Sequence, residues 1–432
     1  MLMEQMTVNE KGMLEFAGRP CDELAEKYGT PLYVMDEELI RNRMRLYQKT
    51  MKKEFGEDAE VLFASKACDF KAMYRIAKEE KIGVDVVSDG EIFTAFAAGY
   101  PMERLFFHGN NKTDDEIRFA MEKQVGTFVI DSEEELDAVG KIAAEKNRVQ
   151  RIVIRVTPGI DPHTFEAVAT GLVDSKFGAA IETGAAMALV KKALHCFHVS
   201  LQGFHCHVGS QVFDEEVFVK SADAMFSFAK DVQDKLGFEC KEMNLGGGIG
   251  VRYVEKDPQL QIEQTMTKLA KHVKELCGLL KMKLPAMRLE PGRSIVADAG
   301  MTLYQVGNVK KIPQIKTYVS VNGGMTDNPR YALYRSSYSV VCANRMNEKN
   351  QMLCSVVGKC CESGDILQEH VLLPETVQRN DLIAVLTTGA YNYSMASNYN
   401  RIVRPAVLMI HKEGEYLAVQ RETFEDLIKN EF

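Results

Sequence analysis

The feature that most constrains this chain is a recurring period. Between residues 61 and 293 one unit repeats: a short, β-rich apolar run, a polar or glycine-containing turn, then a helical stretch. The runs are VLFASK (61–66), VDVVS (84–88), LFFHG (105–109), TFVID (127–131), IVIRV (152–156), LQGFHCHVGS (201–210), MNLGGG (243–248) and MRLEPG (287–292). That makes eight, the number a (β/α)8 barrel requires. A doubly wound sheet also alternates strand and helix, and the period alone leaves it open. The barrel is favoured because the unusual residues fall at the C-terminal ends of several strands, where barrel enzymes build their sites.

Local signals support the helices between the runs. Phe70, Met73, Tyr74 and Ala77 repeat at the spacing of a core-facing helical stripe. Ser88-x-x-Glu91, Thr113-x-x-Glu116 and Ser132-x-x-Glu135 each read as a capping box just after a strand. After Arg293 the helical period fades. TYVSV (317–321), CSVVG (354–358), LIAVL (382–386) and AVLMI (406–410) alternate with turns, which predicts an antiparallel β domain. The first thirty residues also read as strand and turn, and residues 421–432 as a short terminal helix. The expected division is a barrel over 33–295 and a β-rich domain made of 1–32 and 296–432.

Composition removes several function classes. Of 432 residues 46% are hydrophobic and 26% charged, ample for a large core. The formal net charge is −8, and basic residues are interspersed with acidic ones, which argues against nucleic acid or an anionic membrane as partner. The ten cysteines show no CxxC spacing, so reduced thiols are the expectation. Glu4 stands where a signal peptide needs its apolar segment, and no apolar run is long enough to span a bilayer. A cytoplasmic protein without a membrane partner is expected.

Four segments carry residues suited to chemistry. Lys66 ends the first strongly apolar strand, where desolvation disfavours the ammonium form and suits the amine to a Schiff base with an aldehyde cofactor; a strand-end lysine turned to solvent is the plainer account. The three glycines at 246–248 follow a strand and let backbone N–H groups approach an anion, although a tight turn uses the same residues. Glu290-Pro291-Gly292-Arg293 ends the last barrel strand. Its carboxylate could meet a protonated pyridine nitrogen and its guanidinium a phosphate or carboxylate; a Pro-Gly turn beside an ordinary ion pair is the alternative. Cys361 and Glu362, in a CESGD turn, could supply a proton donor beside an acid, while free cysteines are commonly inert. His205-Cys206-His207 does not make a metal site: in a strand the histidines share one face and the cysteine points to the other. No metal is expected.

Taken together, these segments resemble the diaminopimelate decarboxylases, members of the fold-type III (alanine-racemase-like) pyridoxal-phosphate enzymes. The resemblance runs from about Tyr28 to Leu408 through FASKAC, HGNNK, DSKFG, GFHCHVGSQ, NLGGGIG, EPGR, GGMTDNPRYALY, GKCCESGD, TTGAYNYSMASNYN and RPAV. It implies pyridoxal 5′-phosphate as cofactor, removal of CO2 from meso-diaminopimelate to give lysine, and a homodimer with shared active sites. By position, Lys66 is similar to the lysine that bonds the cofactor aldehyde, and His207 to the residue stacked on its ring, held by Asp85. Ser210, Gly247, Gly248 and the backbone around Gly292 and Arg293 resemble the phosphate cradle, closed by Tyr391. Glu290 resembles the partner of the pyridine nitrogen. Arg293, Arg330, Tyr334 and Tyr391 match the substrate-binding set, and Glu362 the reader of the distal amino group. Ser175 to Gly178 resemble the loop over the site. Cys361 resembles the general acid, supplied with Glu362 by the other subunit.

Three residues depart from the family pattern: Asn322 stands where Asp is expected, Tyr331 where Pro is usual, and Arg335 where Gly is usual. None belongs to the catalytic set, so they bear on kinetics rather than reaction type. The rival readings are a same-fold decarboxylase acting on arginine, ornithine or carboxynorspermidine, and a non-catalytic cofactor-binding regulator. Arg330 and Tyr334 weigh against the first, because a bare amine would leave that guanidinium unpaired. Retention of Lys66 and Cys361 weighs against the second.

Overall fold

The computed structural model describes residues 3–161 and 174–432. The chain forms two compact units, one of residues 41–250 and 259–294, the other of residues 1–40, 251–258 and 295–432.

In the first unit every run of the repeat is a strand: β1 (Glu60–Ala64), β2 (Gly83–Val86), β3 (Leu105–Phe107), β4 (Thr127–Ile130), β5 (Gln150–Thr157), β6 (Val199–His205), β7 (Glu242–Asn244) and β8 (Ala286–Leu289). Each pairs in parallel with the next, and β8 pairs in parallel with β1. This pairing closes the ring, so no strand edge is left open. The doubly wound alternative is thereby excluded.

Alternation within the strands explains what fills the barrel. Leu62, Phe106, Val129 and Val153 form one buried apolar cluster from β1, β3, β4 and β5. Side chains two residues further on point to the same face, and there the chemistry changes. Asp85, His108, Asp131, Arg155, His205, Asn244 and Glu290 occupy the strand ends, all buried. A polar layer therefore sits on an apolar one, at the end of the barrel where the loops lead into helices.

The helices follow the local signals. Lys71–Glu79 starts at Phe70 and buries Met73, Tyr74 and Ala77. Thr113 and Glu116 form a complete capping box. Ser88 and Ser132 each cap their helices, at Glu91 N and Glu135 N. Their glutamate side chains, however, turn inward to other partners.

The second unit is β-rich. Its strands are β9 (Gly300–Ile312), β10 (Lys316–Val321), β11 (Val340–Cys342), β12 (Asn350–Val357), β13 (Ile366–Pro374), β14 (Leu382–Leu386), β15 (Ala406–His411) and β16 (Gly414–Val419). The first residues add a small sheet of Met6–Val8, Leu14–Phe16 and Arg19–Pro20, and Phe424–Ile428 is a terminal helix. The large sheet is mixed rather than purely antiparallel, since β10 pairs in parallel with β12 and Leu32–Asp36 in parallel with β15. Leu32–Asp36, which the sequence placed at the start of the barrel, lies between β9 and β15. The division between units accordingly falls after Ile40. The physical reason is that Leu32, Val34, Met301, Leu303, Ala384 and Leu408 share one apolar core, which the Leu32–Asp36 strand must join to bury its side chains.

Candidate active site

Lys66 lies in a single helical turn, Ser65–Ala67, that follows β1 directly. Its ammonium stands 3.2 Å from Oδ2 of the fully buried Asp85, while the lysine side chain keeps 40% exposure. The amine is thus oriented by a buried anion yet remains reachable. Asp85, which the resemblance pairs with His207, also puts Oδ1 3.9 Å from His108 Nε2. That Oδ1 is buried without a hydrogen-bond partner.

Glu290 follows β8 and is clamped from three strands. Asn244 Nδ2 donates to Oε1 at 2.7 Å, His205 Nε2 meets Oε2 at 3.0 Å, and His108 Nε2 lies 2.8 Å from Oε1. Burial alone would raise this carboxyl, but the imidazoles of His108 and His205 reverse the direction and hold it well below the ordinary carboxylate range. Burial pushes His205 itself down to about 4. A neutral ring agrees with the geometry: Nε2–H donates to Glu290, and the buried Nδ1 has no partner, which a second N–H there could not tolerate.

The three glycines after β7 make a turn that only glycine fits. A Cβ on Gly247 would stand 2.1 Å from the Glu290 carbonyl oxygen, and one on Gly248 2.2 Å from that of Gly209. Asn244 ties this turn to Glu290 by accepting from Gly246 N at 2.9 Å while its amide serves the carboxylate. His207 is half-buried, and Gly247 N donates to its Nδ1 at 3.3 Å. Burial, then the nearby Lys66 charge, hold this imidazole well below its usual value, so it is a neutral plate. Arg293 donates to Ser210 Oγ from Nη2 at 3.0 Å and Nε at 3.3 Å. Gly292 packs against the Lys66 turn, where an added Cβ would meet Ala64 Cβ at 3.0 Å and Ala67 Cβ at 3.1 Å. The loop residues 175–178 are anchored by Asp131, whose Oδ1 accepts from Gly178 N at 2.9 Å, and by Arg155, whose guanidinium lies 4.4 Å from the Phe177 ring.

Residues 38–297 match the family described as pyridoxal-dependent decarboxylase, pyridoxal binding domain. Over its length the chain is 46% identical to the diaminopimelate decarboxylase of Bacillus methanolicus, covering 96% of each chain. It is 44% identical to that of Bacillus subtilis, covering 98% of this chain and 95% of the other. The diaminopimelate decarboxylase of M. jannaschii, solved in complex with L-lysine, superposes with a TM-score of 0.91 at 34% identity, over 100% of this chain and 99% of that one. The chain belongs to the diaminopimelate decarboxylase family.

The cofactor of a diaminopimelate decarboxylase is pyridoxal 5′-phosphate, and the barrel residues fit it. A carboxylate offers about four acceptor positions; on Glu290 Asn244 and His205 fill two by hydrogen bonds, with His108 Nε2 2.8 Å away, which leaves room for a ring N–H. The tight glycine turn, Ser210 and Arg293 supply the donors a phosphate needs. Among residues the sequence reading passed over, His108, Asp131, Arg155 and Asn244 complete the polar layer. Their signal was available: each stands two places beyond an inward-facing strand position, where an apolar residue is the default.

The remaining predicted residues of this decarboxylase lie in the second unit. Arg330 is buried, and its guanidinium lies 5.3 Å from the ring centres of both Tyr334 and Tyr391. Its Nε is buried without a hydrogen-bond partner, and no carboxylate pairs with it among the described residues. Cys361 and Glu362 are exposed, and Cys361 N donates to Asn400 Oδ1 at 2.7 Å. The three departures are explained locally. Asn322 accepts from Gln305 N at 2.9 Å and donates to Thr30 O at 3.0 Å, a donation aspartate could not make. Tyr331 donates to Glu369 at 2.7 Å. Arg335 adopts a φ of 53°, the conformation that makes Gly usual there, and places its guanidinium 5.4 Å from the Tyr331 ring.

Proposed function

We propose that this protein removes CO2 from meso-diaminopimelate to give L-lysine, with Lys66 as the cofactor-binding amine and Cys361 as the proton donor. The observation that carries the substrate choice is Arg330, a buried guanidinium with aromatic faces about it and no carboxylate partner among the described residues. A substrate with a second, distal carboxylate supplies that partner; arginine and ornithine do not.

Pyridoxal phosphate, when bound, supplies an aldehyde for an amine and a ring that accepts the electron pair left by departing CO2. The chain's own residues do the rest. Asp85 holds the Lys66 amine in place. Glu290, kept ionised by its imidazole and amide partners, holds a proton at the ring nitrogen. His207, neutral, offers a flat face to the ring. The 246–248 turn, Ser210, Gly292 and Arg293 bind the phosphate, with Tyr391 closing it. Arg293, Arg330, Tyr334 and Tyr391 fix the substrate, Glu362 reads its distal ammonium, and Cys361 returns the proton.

The protein acts as a homodimer in the cytoplasm. Exposure of Cys361 and Glu362 is what residues lent to a second subunit's site require. The exposed cross-strand pair Leu353 and Leu372, 58% and 53% accessible, gives a second copy an apolar surface to cover. None of the ten cysteines is in a disulfide, which suits a reducing compartment. No helix among the described residues is long and apolar enough to cross a membrane.

The test uses two variants. Borohydride should fix the cofactor to the Lys66 peptide in the wild type, and Lys66→Ala should abolish both that linkage and turnover. Cys361→Ala should keep the linkage and lose turnover; full activity in it would remove Cys361 from the mechanism.

A further inference from the structure

Ser88-x-x-Glu91 and Ser132-x-x-Glu135 share one local motif and depart from it alike. In both, the serine Oγ accepts from the glutamate N–H at 3.2 Å, but the glutamate carboxyl turns inward. It accepts from the backbone N–H just ahead of the serine, Val87 N at 2.7 Å in one case and Asp131 N at 3.0 Å in the other. What each carboxyl meets next differs. Glu135 meets the buried Lys112 ammonium at 2.7 Å. Glu91 meets a hydroxyl, Ser65 Oγ, at 3.0 Å, and among the described residues no lysine, arginine or histidine contacts it.

Counting protons fixes the state of Glu91. Ser65 has one O–H, yet its Oγ stands 2.7 Å from the Asp85 carbonyl oxygen and 3.0 Å from Glu91 Oε2. The carbonyl can only accept. Were Glu91 a carboxylate, one of the two contacts would be acceptor against acceptor, with Ser65 wholly buried and Glu91 8% exposed. A protonated Glu91 donates to Ser65, Ser65 donates to Asp85, and every contact then holds a proton. The other titratable groups facing Glu91 are the Asp85 and Asp69 carboxyls and the Tyr74 phenol, none of them positive. The Lys66 ammonium is engaged by Asp85. Burial, added to by those two acids, pushes the Glu91 carboxyl up to about 7.

We propose that Glu91 is a positioning residue for Lys66 that works as a neutral acid: its proton to Ser65, and the Ser65 proton to the Asp85 carbonyl, fasten the turn bearing Lys66 to the strand bearing its counter-ion. The inference rests on Lys66 being the cofactor-binding amine. Glutamine cannot ionise, but because Val87 N and Ser65 Oγ meet the same Glu91 oxygen its amide serves only one of them; aspartate falls one methylene short, and alanine removes both groups.

The experiment compares holoenzymes of wild type, Glu91→Gln, Glu91→Asp and Glu91→Ala. Glu91→Gln should retain more of the wild-type kcat than Glu91→Asp or Glu91→Ala and lose the alkaline decline that ionisation of Glu91 imposes. Glu91→Asp and Glu91→Ala should lose about tenfold to a hundredfold in kcat with KM little changed, the effect of a displaced reacting group. An infrared difference spectrum at pH 6 should show a protonated-carboxyl band in wild type that is absent in Glu91→Gln. Absence of that band overturns the inference. So does a Glu91→Ala enzyme that loses thermal stability while kcat and the alkaline limb stay unmoved. Failure of the underlying reading is visible separately, as borohydride fixing the cofactor to a peptide other than that of Lys66.

Discussion

Gly247→Ala isolates one contact of the site. Gly246 and Gly248 have φ of 71° and 111°, but Gly247 lies outside the left-handed region, so alanine brings no backbone strain of its own there. Its new Cβ would stand 2.1 Å from the Glu290 carbonyl oxygen and 2.8 Å from the carbonyl carbon. Carbon does not approach backbone oxygen closer than about 3 Å, so the turn and the Glu290 backbone must part by about 1 Å. The barrel resists this, because Glu290 N is bonded to Gly246 O at 2.7 Å and Pro291 O to Ala64 N at 3.2 Å. The strain should cost about 1–3 kcal/mol of stability. A 1 Å displacement of Glu290 against the phosphate turn should lower kcat/KM about a hundredfold and weaken cofactor binding. Equilibrium dialysis against free cofactor, with steady-state kinetics, measures both. Gly278→Ala is the control: its site in helix Ile262–Leu280 is open, with nothing within 4 Å, so it should gain about 0.5–1 kcal/mol and leave activity unchanged. A Gly247→Ala enzyme with wild-type affinity and kcat/KM would refute the reasoning about the turn.

Other consequences are open to test. Lys112 is buried and donates to Gly109 O, Val129 O and Glu135 within 2.9 Å; Lys112→Met strands Glu135 and should cost about 3–5 kcal/mol in denaturant unfolding, with much of the loss recovered by adding Glu135→Gln. The Glu91 carboxyl is raised from 4.5 to about 7, so the folded state binds that proton more tightly than the unfolded chain does. Its stabilisation is complete below pH 4.5 and is lost as pH rises towards 7, a span of about 3 kcal/mol. The Tm of Glu91→Gln relative to wild type should therefore rise between pH 5 and 8, and parallel curves would contradict the neutral-acid assignment. Arg330→Met should raise KM for meso-diaminopimelate at least about tenfold while leaving cofactor absorbance intact; an unchanged KM would take Arg330 out of the substrate site.

The barrel was legible because a period of strand, turn and helix is written in side-chain chemistry alone, and all eight runs became its strands. Lys66, Glu290 and the glycine turn were visible as unusual residues at strand ends. The clamp on Glu290 was not, because His108, His205 and Asn244 reach it from three strands far apart in sequence, and only barrel closure sets them around one carboxylate. Glu91 and Glu135 were misread for a related reason: a capping box is a local rule, and buried partners on neighbouring strand ends compete for the same carboxyl. The Leu32–Asp36 strand was assigned to the barrel because its apolar run does not say which sheet will bury it.

The central claim is tested most directly by giving the purified, cofactor-loaded protein meso-diaminopimelate, L,L-diaminopimelate, ornithine and arginine in separate reactions and measuring CO2 and the amine product. The account predicts lysine and CO2 in equal amounts from the meso isomer alone. Turnover of ornithine or arginine with no lysine from meso-diaminopimelate would contradict it.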